Sequence, residues 1–185
     1  NKIAFCNDES FAEASFYIGV IQWRQQNYEQ ALSVLRPLAE DLKLTSVYNM
    51  LGAIAVQASR AEKKNEARSA ALLKEGTELL KKAAESAQED GSIQFNYAMA
   101  TFLSGNQVEA IPLFRSIIAA NPRDGEAYYL LAKSLAATND GTASTVDNQA
   151  RTLLAAGNRY ANLEKEWIRA KTIADIPFRV EQPQR

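Results

Sequence analysis

The stretch that decides the fold runs from Gly91 to Asp124 and reads GSIQFNYAMATFLSGNQVEAIPLFRSIIAANPRD. Its apolar residues recur at three- and four-residue spacing on both sides of a short polar break, Ser104-Gly105-Asn106, which predicts two amphipathic helices joined by a tight turn. Gly105 suits a positive backbone dihedral at the end of the first helix. Asn106, followed by Glu109, reads as a capping box that opens the second. Ala98 and Ala110 are small where two antiparallel helices must approach, and Phe114 is large where a neighbour's groove must be filled.

The same alternation continues in both directions. Upstream, Ala12 to Leu44 carries Ile18-Gly19, a turn at Gln26-Asn27, then Tyr28, Ala31, Leu35 and Leu38. Ser10 with Glu13, and Asn27 with Gln30, read as capping boxes for the two helices of this unit. Pro37 is expected to bend the second helix without ending it, because Leu38, Ala39 and Leu42 continue the apolar stripe. From Thr45 the pattern resumes at Leu51-Gly52 and again at Gly76, Leu80 and Ala83, with extra helical residues between them, Arg60 to Leu73. These would let both helices grow outward as a projecting hairpin. Its Arg60, Lys63, Lys64 and Arg68 alternate with Glu62 and Glu66, which reads as a solvated face rather than a basic docking spur.

Downstream, a further unit opens at Gly125, with Leu131-Ala132 and Leu135 in the expected places. Asn139 to Val146 reads as an expanded polar loop, and Asp147 to Ala156 as a helix with Leu153 and Leu154 facing inward. A last amphipathic helix, about Tyr160 to Ala174, is expected to cap the stack with Leu163, Trp167 and Ile168 on one side. After Pro177 the chain reads as an extended tail, Phe178 to Arg185.

This succession of positions Tyr97, Ala98, Thr101, Gly105, Ala110, Phe114, Ile117 and Pro122 resembles the tetratricopeptide repeat, a helix-turn-helix unit of about 34 residues. The resemblance implies an all-α, right-handed α-α superhelix of about four repeats in a single domain, 1–185. The repeats would span about 12–44, 45–90 with the extension at 60–73, 91–124 and 125–158, followed by the capping helix 160–174 and a tail, 175–185. Proteins of this family hold peptides or protein surfaces on the inner face of their first helices. A non-catalytic scaffold with a protein or peptide partner is therefore implied.

By place in the repeat, that inner face takes Glu13, Phe16, Val20 and Trp23, then Ser46, Asn49, Ala53 and Val56, then Ser92, Phe95, Met99 and Phe102, then Glu126, Tyr129, Lys133 and Ala136. Phe16, Val20, Trp23, Asn49, Val56, Phe95, Met99, Phe102, Tyr129 and Lys133 are the candidate partner-binding residues among them. The set is mostly apolar, and each large side chain removed from water by a partner would contribute roughly 1.5–3 kcal/mol. The tail segment Ile176-Pro177-Phe178-Arg179-Val180 has the character of an occupant, for its own groove or a neighbouring copy's. The Lys, Asn and Arg clamp by which some relatives grip chaperone C-termini is missing. Phe16 and Val20 stand at two of its places, and Met50 stands where the second repeat would need Asn.

Composition limits the alternatives. The chain has 185 residues, 46% hydrophobic and 23% charged, enough for a real core. Its formal charge of -1 offers no field of one sign to attract nucleic acid or anionic lipid. There is no His and one Cys, so the commonest general base and metal ligand are absent and a disulfide framework is excluded. Glu164 and Glu166 diverge on a helix, and Lys63-Lys64 and Lys81-Lys82 lack a glycine-rich phosphate loop, so neither catalysis, cofactor nor metal is expected. Apolar runs end well before the roughly 20 residues that cross a bilayer. The chain opens at Asn1, which suggests a processed or excised piece, soluble and either cytoplasmic or periplasmic. Cys6, preceded by the bulky Phe5, reads as a plain, partly buried thiol rather than a lipidation site. Two other roles stay open: a homo-oligomerisation element, and an accessory domain of a larger, possibly enzymatic or envelope-associated, parent.

Overall fold

The computed structural model describes residues 2–170, 173 and 176–180, with the backbone alone for 2–10 and 170. The thiol of Cys6 and the end of the tail, 181–185, lie outside the described residues. The fold is all-α: α1 (Lys2–Arg24), α2 (Tyr28–Leu42), α3 (Thr45–Ala61), α4 (Glu66–Ser86), α5 (Gly91–Leu103), α6 (Gln107–Ala120), α7 (Gly125–Ala137), α8 (Ala143–Leu153) and α9 (Arg159–Ala170). A single 3₁₀ turn, Ala156–Asn158, precedes α9.

The chain falls into two compact units, Asn1–Gln88 and Glu89–Arg185, and within each unit successive helices pair as antiparallel hairpins. In the first, α1 pairs with α2 and α3 with α4, while α2 lies against α3. Leu32, Leu35, Met50, Leu51, Ile54 and Leu80 fill its centre. In the second, α5 pairs with α6 and α7 with α8, α6 lies against α7, and α5 also reaches α7. Its core is larger in side chain, with Phe95, Met99, Phe114, Tyr129, Leu130 and Leu135 fully enclosed.

Small residues set the tightest approach. A Cβ on Gly52 of α3 would stand 2.9 Å from the carbonyl oxygen of Gly76 on α4, and a Cβ on Gly76 would stand 2.8 Å from the carbonyl of Gly52. Here two backbones touch, so neither neighbour can move aside. Farther out, Ser59 and Ser69 exchange hydroxyl-to-carbonyl hydrogen bonds of 2.8 and 2.9 Å. Both helices thus run on beyond the ordinary hairpin length until the 62–65 loop turns the chain. That loop is held by the Glu62 carboxylate, which accepts the N–H of Lys64 and of Asn65. These backbone bonds lower its pKa.

Several expected caps are not made. α1 runs unbroken from Lys2, so Ser10 is inside a helix and opens nothing. Asn27 and Asn106 do stand at the N-caps of α2 and α6, but their side chains do not bond the first turn. Their ψ angles, 65° and 63°, fall short of the extended backbone that aims a capping side chain at the helix N–H groups. The Asn27 amide donates to Gln22 and Gln25, and Glu109 accepts the Tyr97 hydroxyl at 2.9 Å. True caps come from Asn65, Asp90 and Asp124, which accept from Arg68 N–H, from Ser92 and Ile93 N–H, and from Ala127 N–H.

Gly105 has φ +79°, as its turn requires, while the α1–α2 turn uses Gln26 at φ 62°. Pro37 sits inside α2, which continues to Leu42, although Leu42 itself is exposed. The polar loop before α8 is shorter than expected, because α8 starts at Ala143, just after Asp140 accepts the N–H and hydroxyl of Thr142. Leu153 and Leu154 are half-buried against Gly125, where an added Cβ would stand 2.7 Å from Leu154 Cγ. On α9, Leu163 is buried but Ile168 is 69% exposed, since it lies well around the helix from Leu163 and Trp167.

Candidate polypeptide-binding faces

The first helices of the hairpins, α1 and α3 in one unit and α5 and α7 in the other, carry the expected contact residues. In the Glu89–Arg185 unit this face is covered by the chain itself. α9 lies over it, and the segment 176–180 returns along it as irregular chain that turns at Arg179, where the Val180 N–H bonds the Phe178 carbonyl at 3.1 Å. Tyr160 packs edge-on against Tyr129 with ring centroids 5.9 Å apart, and Trp167 tilts against Phe102 at 5.9 Å. Lys133 donates to Glu164 at 2.6 Å and lies 4.8 Å above the centre of the Tyr129 ring. Arg159 bonds Glu126 at 2.8 Å. Phe95, Met99, Phe102 and Tyr129 are therefore buried, and Lys133 is spent on an internal ion pair. The expected open apolar wall is not exposed in this unit.

The returning segment is held by three kinds of contact. Asn96, fully buried at mid-α5, bonds the backbone of Arg179 on both sides: its Oδ1 accepts the Arg179 N–H at 2.7 Å and its Nδ2 donates to the Arg179 carbonyl at 2.8 Å. The Arg179 guanidinium lies 3.4 Å above the Phe95 ring centre. It pairs two-pronged with Asp124, one arm at 2.8 Å, and reaches Glu126 at 3.5 Å. Ile176 and Phe178 are buried while Pro177 between them faces solvent.

In the Asn1–Gln88 unit, Phe16 and Trp23 are half-buried, and the Trp23 indole donates to Gln57 of α3 at 2.7 Å. Val20 and Asn49 are buried. Val56 is turned away from this face: its Cγ2 would lie 2.7 Å from a Cβ on Gly76, so it packs against α4. Gly52, Val56 and Ser59 form one helical line toward α4, and of these three the place-in-repeat assignment puts Val56 on the inner face.

Of the residues that hold the segment, Asn96 and Asp124 are not read as contacts from the sequence, and Arg179 enters only as part of a tail suited to its own groove or a neighbouring copy's. Asn96 had a usable signal, since it stands in the third repeat where Met50 stands in the second. Asp124 had none, because its pairing depends on where the tail returns. Among the described residues no three His, Cys, Asp or Glu side chains are grouped to hold a metal, and no helix is long and apolar enough to cross a membrane.

Helical hairpins stacked in this way define the tetratricopeptide-repeat fold, and the chain has it. Among solved structures it is similar to YrrB, a TPR protein with an unusual peptide-binding site, at a TM-score of 0.69 and 19% identity over 85% of this chain and 76% of that one. It is equally close in fold to a MamA RS-1 double mutant, at a TM-score of 0.69 and 18% identity over 89% of each chain, and it resembles MamA MSR-1 at 0.66 and 19% over 77% and 76%. No family model and no curated protein matches the chain.

Proposed function

We propose that this chain is a non-catalytic scaffold that holds segments of other polypeptides on the faces of its first helices. The observation that supports this reading is the Asn96 clamp, which grips the backbone N–H and carbonyl of one residue and so recognises the main chain whatever its side chains. The likeness to a peptide-binding TPR protein is in keeping with it. In the Asn1–Gln88 unit the accessible part of the corresponding face includes Phe16, Trp23 and Gln57, two aromatic side chains and an amide. Selection of random displayed peptides on the intact chain, followed by calorimetry on Trp23→Ala, tests the reading. Enriched peptides that bind the intact chain and lose affinity on Trp23→Ala are the expected result. Failure of any peptide to enrich above a bead control would reject it.

A second reading, self-association, rests on a different surface. Phe11, Ile18 and Ile21 are exposed along one side of α1, at 74%, 48% and 52%. Light scattering across a concentration series on the chain and on Ile18→Glu separates the two readings: a mass that rises with concentration only in the unaltered chain supports self-association, and equal monomer masses reject it.

A further inference from the structure

Resting on that scaffold reading, we propose that residues 176–180 are a resident occupant of the α5/α7 face, and that the external partner is a non-helical segment with an arginine flanked by apolar residues, which binds by displacing them. The contacts around this segment divide as contacts to a ligand do. Asn96 supplies the part that is indifferent to sequence. Asp124, Glu126 and the face of Phe95 supply the part that demands a planar cation, because a guanidinium can bond a carboxylate two-pronged while lying flat on a ring and an ammonium cannot. Ile176 and Phe178, two residues apart, supply the apolar anchors.

Exchange is constrained by Asp124. Its carboxylate is almost wholly buried, and the one atom that caps α7 through Ala127 N–H also takes an arm of Arg179. Losing the guanidinium without replacement would leave that buried charge with its cap bond alone, which is strongly unfavourable. A segment that evicts residues 176–180 must therefore bring its own cation to the same place. The resident segment is joined to α9 by a few residues, so its local concentration is high and an external copy starts at a disadvantage.

The test uses a fluorescent eight-residue peptide with the sequence of residues 173–180, IADIPFRV, and the full-length chain. Its binding is measured by anisotropy on the unaltered chain and on Arg179→Glu, which sets an acid against Asp124 and Glu126 and ejects the resident segment while leaving every α5 and α7 residue in place. Phe178→Ser is the second ejecting variant, used if circular dichroism finds Arg179→Glu less helical than the parent. The expected result is a dissociation constant lower by about tenfold or more on the ejecting variant, and no competition from a peptide with Glu in place of the arginine. Equal affinity for parent and variant would overturn the resident-occupant proposal while leaving the scaffold reading standing. Absence of binding to a helical variant that still binds display-selected peptides would overturn the arginine motif alone. A parent chain that is dimeric and becomes monomeric on Arg179→Glu would also overturn it, by placing the segment in a second copy.

Discussion

Asn96 spends both ends of its amide on the backbone of one residue, Arg179, and nothing about α5 as a helix needs it to. Asn96→Ala removes both bonds and leaves the Arg179 N–H and carbonyl against an apolar wall, so urea unfolding should lose about 1–3 kcal/mol. A loss near zero would mean that the segment does not rest there. Glycines offer a sharper contrast. Gly76→Ala drives a Cβ to within 2.8 Å of a backbone carbonyl that cannot retreat, and should destabilise by about 1–3 kcal/mol. Gly91→Ala, at the first turn of α5 with nothing within 4 Å of the added Cβ, should instead gain about 0.4–1 kcal/mol by restricting the unfolded chain. Thermal melts of the two variants, shifting in opposite directions, check the pair together.

At the scale of elements, α9 is the helix whose docking decides what the α5/α7 face can do, and two tyrosines report on it. Burial, with the charges of Glu164 and Asp147 nearby, raises the pKa of Tyr129 and of Tyr160 well above the ordinary 10.0. The Tyr160 hydroxyl also donates to Asp147 at 2.6 Å. Above pH 10.0 the unfolded chain has released these protons and the folded chain still holds them, so the stability they contribute is complete below that pH and is lost as pH rises beyond it. Alkaline titration followed by tyrosinate absorbance should find two rings that ionise only as the helical signal falls, and one fewer in Tyr160→Phe.

The elements themselves were legible in the sequence because apolar periodicity is local. The paired helices around Gly105, the lengthened α3 and α4, and the presence of a last helix, α9, all follow from residues three and four apart. What was not legible depends on residues far apart in the chain. Asn106 has the right chemistry for a cap, but its ψ is set by the turn before it, and Glu109 is taken by Tyr97. Met99 and Phe102 look like a free surface until α9 and residues 176–180 return to cover them. Val56 was assigned to the inner face by its place in the repeat, yet the glycine contact between α3 and α4 draws it into the hairpin.

The molecule as a whole combines near-neutral charge with two units whose first-helix faces differ in state. One presents Phe16 and Trp23 half-exposed, and the other carries a non-helical segment of its own chain clamped by Asn96, Asp124 and Phe95. On the displacement proposed above, selectivity would come from competition, since a partner would have to outdo a segment already in place. The most direct measurement is native-state hydrogen exchange at the Arg179 amide in the full-length chain. The clamp predicts protection on the order of that of amides in the middle of α5, because the N–H is bonded at 2.7 Å to a buried side chain. Exchange at the rate of an unstructured peptide would contradict it.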